Sequence, residues 1–340
     1  MGLATLSITL LLVHLVGQNP SPREMDGPRS EATLFVDSLV GEEFGASNCD
    51  RPHPGPSCED ALFRVCSRSV AFDETRNKQA RERYEREWEE WKHLDRPPKE
   101  PRIPIPSFAR SLEAHRRYLK TLAKGDRRDQ ILFKSGLLLD RQGRSTEAFF
   151  LFAELEREHP DSRAIVATRL RLGEFHFVNR NYDSAIAYFR KTKSVQTPSG
   201  SEPLAEIGLY HEAEAYSLSH RYAEAIETFF EYIELADRKR LPRGDLRVEA
   251  ILSLGSCLAE SPVSLEHAKE FFLRKGRRTY EDTVFYELAY KHYDRDQLDI
   301  AVPAMEYALQ CFPRYHKAAD LRQKLDKAKA RRDRVKHDGM

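Results

Sequence analysis

The sequence predicts an all-α protein built from stacked helix-turn-helix hairpins, a solenoid preceded by a Pro-rich, partly helical N-terminal arm. Three observations predict it. From about Ser107 to Lys336 the apolar residues recur at helical spacing, with short breaks, no strand alternation and no Gly-rich phosphate loop. The segment NRNYDSAIAYFRK (Asn179 to Lys191) is answered forty positions later by SHRYAEAIETFFE (Ser219 to Glu231). Hydrophobic residues make up 40% and charged residues 32%, which suits a helix-rich chain with a large solvated surface.

Taken in order, residues 1–17 (MGLATLSITLLLVHLVG) are too short for an ordinary membrane span but read as the core of a signal peptide. Export to a periplasm or beyond is therefore expected; without that processing the chain would be cytoplasmic. Residues 18–106 form a Pro-rich linker in which a charged helix is expected near 60–95. Arg81 and Glu85 stand four apart on it, and Tyr84, Trp88 and Trp91 share one face, expected to pack onto the domain. DRPPKEPRIPIP then stops that helix. Residues 107–336 carry the hairpins, with Ala318 to Val335 as a capping helix.

Each hairpin has two anchors in its second helix, a small residue followed four positions later by a large one. Ala148 with Phe152, Ala185 with Phe189, Ala225 with Phe229, Ala268 with Phe272 and Ala301 with Met305 are 37, 40, 43 and 33 residues apart. Twelve positions before each small anchor stands another small residue: Gly136, Gly173, Ala213, Ser256 and Ala289. Antiparallel helices approach to about 8–10 Å only where both backbones are bare, so the coincidence has a steric cause. Pro160 and Pro313 close two of the second helices.

At these residues the chain resembles the tetratricopeptide repeat, over about residues 128 to 315. The resemblance implies a groove lined by the first helix of each repeat and used to bind protein partners. Phe133, Glu174, Tyr210, Glu214, Tyr286, Tyr290 and Tyr293 would face it. The subtype that captures a C-terminal carboxylate uses Lys and Asn where this chain has Phe133 and Leu137, so that clamp is not expected. Residues 134–191 also resemble bacterial envelope proteins of the same repeat class, including those of adventurous gliding-motility machinery. That implies association with outer-membrane or periplasmic components, with any membrane association peripheral and through partners.

Chemistry is sparse. The sequence HEAEA at His211 lacks the second His of a zinc-protease helix, no paired C-x-x-C occurs, and neither a metal nor another cofactor is expected. Of five cysteines, Cys49 and Cys58 could form one disulfide in an exported chain, while free thiols fit a reducing compartment. A formal charge of +1 gives no global attraction to nucleic acid, and the basic run near the C-terminus reads as a solvated helix end. The expected function is a non-catalytic scaffold or adaptor for protein partners. The alternative is a cell-wall-associated enzyme or binding module in the N-terminal region, with the repeats as its docking arm.

Overall fold

The computed structural model describes residues 35, 36, 38, 39, 56–94, 99–193, 202–239, 245–260 and 264–338. Residues 1–17 and Cys49 lie outside the described residues. The architecture is all-α, a helical-hairpin repeat of the solenoid class, and no strand occurs among the described residues. Its helices are α1 (Pro56–Lys92), α2 (Ala109–Thr121), α3 (Arg128–Arg141), α4 (Ser145–Glu158), α5 (Ile165–Val178), α6 (Tyr182–Lys193) and α7 (Glu202–Leu218). There follow α8 (Tyr222–Lys239), α9 (Asp245–Leu258), α10 (Ser264–Lys275), α11 (Glu281–Asp294), α12 (Leu298–Cys311) and α13 (Ala318–Asp338). None of the described helices is long and apolar enough to cross a membrane. The chain divides into two units, Met1–Phe175 and His176–Met340.

In the first unit, the N-terminal half of α1 is packed. Ala61 is buried, and Cys58, Leu62, Val65 and Cys66 share a core with Ala114, Tyr118 and Leu122 of α2 and its end. Polar side chains on α1 complete the helix starts that neighbouring residues leave open. Asp73 accepts from the Ser111 amide at 2.9 Å and the Ser111 hydroxyl at 2.7 Å, serving the first turn of α2, which lacks a capping side chain of its own. Glu59 accepts from the Arg127 amide at 2.9 Å, just ahead of α3, and from the Tyr118 hydroxyl at 2.5 Å. Burial pulls the Glu59 carboxyl upward, but those bonds outweigh it and hold the group below its ordinary value. Asn77 and Ser107 exchange two hydrogen bonds, at 2.9 and 3.0 Å, which fasten the extended connector to α1. Beyond Asn77 the helix is largely exposed. Tyr84, Trp88 and Trp91 stack on one another at 6.2 and 5.4 Å and belong to neither of the two hydrophobic cores.

Both anchors of every hairpin are buried. Ala148, Ala185, Ala225, Ala268 and Ala301 are all 0% exposed, and Phe152, Phe189, Phe229, Phe272 and Met305 are at most 4% exposed. Gly136, Gly173, Ala213 and Ala289 on the first helices are buried too. The close approach is tightest at Gly136, where an added Cβ would sit 2.4 Å from Phe152 Cε1. In the second unit Gly255, beside the expected Ser256, makes a different close approach, to the first helix of the next hairpin. A Cβ there would meet the Val284 carbonyl oxygen at 2.8 Å. A further close approach, at Gly208 against Thr192 Oγ1, lies outside the twelve-residue rule.

The turns inside the hairpins are one motif used four times. Gly143, Arg180, His220 and Asp296 all have φ between 58° and 74°, and each lies five residues before its small anchor. The next residue's amide bonds five residues back, Arg144 to Leu139, Asn181 to His176, Arg221 to Tyr216 and Gln297 to His292, at 2.9 Å each. This is the Schellman ending, which satisfies carbonyls at the helix C-terminus and needs a left-handed residue. Only one of the four is glycine.

The connectors between hairpins repeat as well. After α4 the amide bonds run His159 to Leu155, Ser162 to His159 and Ile165 to Ser162. After α12 the same ladder joins Phe312 to Ala308, Tyr315 to Phe312 and Ala318 to Tyr315, and after α2 it joins Leu122 to Tyr118, Gly125 to Leu122 and Arg128 to Gly125. Thus α2 ends as a second helix does, and α1 with α2 forms an additional hairpin ahead of residue 128.

Candidate functional site

The candidate surface is the face presented by the first helices. In the first unit it carries Phe133, Asp140, Arg171 and Glu174. Phe133 is half-buried with its ring 5.9 Å from Phe152, so much of it packs inside the hairpin. Glu174 pairs with Arg171 at 2.9 Å. Burial pushes the nearby Asp140 carboxyl up to about 6, against the pull of Arg171.

In the second unit, successive first helices are tied by a hydroxyl-to-carboxylate bond at each step. Tyr210 on α7 donates to Glu249 on α9 at 3.5 Å. Ser256 on α9 donates to Glu287 on α11 at 3.3 Å, and Tyr286 on α11 donates to Asp320 on α13 at 2.7 Å. Because these hydroxyls are buried beside carboxylates, burial first and the negative neighbours second raise both Tyr210 and Tyr286 above the ordinary phenol value. Asp320 is held below its ordinary value by its bonds from Lys324 and from Tyr286.

The seven groove residues expected from the sequence therefore separate by role. Tyr210 is 2% exposed and packs edge-on against Phe229 and Tyr232, so it joins hairpins and offers no surface. Tyr286 is 7% exposed and likewise structural. Glu214 accepts from or faces His211 Nδ1 at 2.8 Å on its own helix. Tyr290 and Tyr293 are partly buried and pack against the core of this unit, keeping more exposure than Tyr210 and Tyr286. Tyr290 lies nearly parallel to Tyr286, 6.1 Å away at 6°, with the Lys324 ammonium 5.5 Å over its ring. Lys317 is exposed 5.0 Å over the Tyr286 ring. The accessible part of Tyr290, backed by the buried Tyr286 ring and flanked by cations, makes an amphipathic patch suited to aromatic and acidic side chains.

Elsewhere, the side chains flagged by their residue types have structural partners. Glu212, 3% exposed, accepts from Arg190 at 3.0 Å and forms an ion pair with Lys193 at 2.9 Å, and so pins α6 to α7. The basic C-terminal helix is docked by Ala318, Leu321, Leu325 and Ala328, and Lys329 and Arg331 pair with Glu306 and Asp296 at 2.7 Å each. Cys58 is disulfide-bonded, whereas Cys66, Cys257 and Cys311 are free. The sequence reading missed Glu249, Asp320 and Lys324, which carry no signal beyond being charged residues on helices.

No family model matches the chain, and no curated protein matches it. Among solved structures it is similar to the C-terminal part of a TPR repeat-containing protein from Cytophaga hutchinsonii, at 15% identity and a TM-score of 0.38, over 85% of this chain and 98% of that one. It is also similar to yeast Tom70, at 13% identity and a TM-score of 0.25, over 92% and 67% of the two chains. A third likeness is to the Naa15/Naa10 complex bound to HypK-THB, at 18% identity and a TM-score of 0.22, covering 74% of this chain but 39% of that one. All three likenesses are low, and the architecture stands on the geometry above.

Proposed function

We propose that the chain is a non-catalytic scaffold that holds a protein partner on the first-helix face of its second unit. The observation that carries this reading is the division of labour among the tyrosines. Tyr210 and Tyr286 are consumed in joining hairpins, while Tyr290 and Tyr293 keep part of their surface, Tyr290 with Lys324 over its ring. Tyrosine is one of the residue types enriched at the energetic hot spots of protein interfaces.

The compartment we propose is oxidising and outside the cytoplasm, supported by the disulfide at Cys58. The partner assembly is then one of a bacterial envelope, for which the support is the resemblance of residues 134–191 to envelope proteins of the gliding-motility type. Purifying the full chain from its own cells, with and without Tyr290→Ala and Tyr293→Ala together, tests the face. Loss of a specific partner from the double variant is expected; an identical set of partners would overturn the proposal. Counting free thiols on freshly isolated protein tests the compartment: a Cys58 that is already alkylatable without reductant would contradict it.

A further inference from the structure

His115 occupies a position that other hairpins give to a large apolar residue. Counting back 37 residues from Ala148 and Phe152, the same interval that separates them from Ala185 and Phe189, lands on Ser111 and His115. Both are buried, at 0% and 1% exposure, and the connector that follows α2 repeats the one after α4. Where the later hairpins place Phe152, Phe189, Phe229, Phe272 and Met305, this one places an imidazole.

The protonation of that ring follows from its neighbour. His115 Nδ1 lies 2.9 Å from Ser135 Oγ, whose one hydroxyl proton is already donated to the Ile131 carbonyl at 2.6 Å. Ser135 can therefore only accept, so Nδ1 carries the proton and Nε2 presents a bare lone pair. Nε2 is buried and has no hydrogen-bond partner among the described residues. A buried acceptor without a partner is costly, and native structures keep few of them.

Beside His115 is a cavity of about 280 Å³ in the same unit, lined by Cys66, Val70, Ile131 and Leu138 among others. It has room for one aromatic ring, and its size falls just under the usual range for drug-sized ligands. Its mouth holds Glu74 and Arg141, paired at 3.5 Å. We propose that this cavity binds a phenol, as a partner's tyrosine side chain or as a free small molecule, whose hydroxyl donates to His115 Nε2. The ring packs on the aliphatic walls, and the Cys66 sulfur supplies a polarisable contact for an aromatic edge. Burial, and after it Lys134, lowers the imidazole to about 4, while burial pushes the Cys66 thiol up to about 12. Both groups are thus neutral near pH 7, which matches a neutral ligand.

The test uses the full chain, with His115 followed by long-range imidazole ¹⁵N NMR during titration with 4-methylphenol and, separately, toluene. The expected result is a saturable upfield move of Nε2 with 4-methylphenol and at least tenfold weaker binding of toluene. His115→Phe installs the residue type of the other hairpins and should keep the fold while erasing the preference for the hydroxyl. Val70→Phe should block both ligands. N-acetyl-tyrosinamide competing for the site assigns it to a side chain; binding of 4-methylphenol alone assigns it to a free molecule. Equal binding of the two ring compounds, no saturable movement of Nε2, or a hydroxyl preference that survives His115→Phe would overturn the proposal.

Discussion

Placing a methyl group on Gly136 should destabilise the protein, and removing the Phe152 ring should reverse the sign of that effect. An ideal Cβ at Gly136 lands 2.4 Å from Phe152 Cε1, 2.6 Å from Cζ and 2.9 Å from Cδ1. Carbon atoms rest at about 3.5–4.0 Å, so the ring must retreat by about 1 Å in a site where it is 2% exposed. Overpacking of that kind costs roughly 1–3 kcal/mol. Replacing glycine by alanine inside a helix returns about 1 kcal/mol. Gly136→Ala alone should therefore cost up to about 2 kcal/mol. Phe152→Ala alone should cost about 3–5 kcal/mol. With the ring gone, adding Gly136→Ala should stabilise by about 1 kcal/mol, giving a coupling of about 1–3 kcal/mol. Urea unfolding of the four proteins, followed by circular dichroism, measures each term. A Gly136→Ala effect that is the same in both backgrounds would refute the close approach as the reason for the small residue.

Three other outcomes are expected. Arg180→Gly and His220→Gly should each stabilise by about 1 kcal/mol in urea unfolding, because each removes the strain of a left-handed side chain at a Schellman turn, less the added freedom of the unfolded chain. His115 should make the protein acid-sensitive. Its folded value, about 4, lies below the ordinary 6.5, so its contribution is complete above pH 6.5 and lost as pH falls through 4. Relative to His115→Phe, stability should drop by about 2 kcal/mol by pH 5, read from urea midpoints across pH. Tyr286→Phe, which removes the donor to Asp320, should cost about 1 kcal/mol, whereas Tyr290→Phe should cost less than about 0.5 kcal/mol in the same assay.

The repeat is legible in the sequence because its rule is steric and acts over short distances. Ala185 and Phe189 must recur wherever two backbones meet and a third element needs filling. The first hairpin escapes that rule because His115 is not apolar and because α1, at 37 residues, is much longer than the other first helices. The turns are equally hidden, since Arg180, His220 and Asp296 adopt a conformation that residue type alone assigns to glycine. Gly255 is outside that rule, because the backbone it approaches belongs to the first helix of the next hairpin, at Val284. The groove is less legible still. Whether a tyrosine on a first helix is free or spent depends on a carboxylate one hairpin away, and Glu249 stands 39 residues after Tyr210. Only the packing of one hairpin on the next shows that Tyr210 and Tyr286 are buried joints and that Tyr290 and Tyr293 keep part of their surface.

The central claim is tested most directly by placing a photo-crosslinking residue at Tyr290 of the full chain, in its own cells, and comparing it with the same residue at Glu231. Glu231 is solvent-exposed on the second helix α8. A discrete protein adduct from position 290, absent from position 231, is the predicted result. Adducts of equal yield from the two positions, or none from position 290, would contradict the scaffold reading.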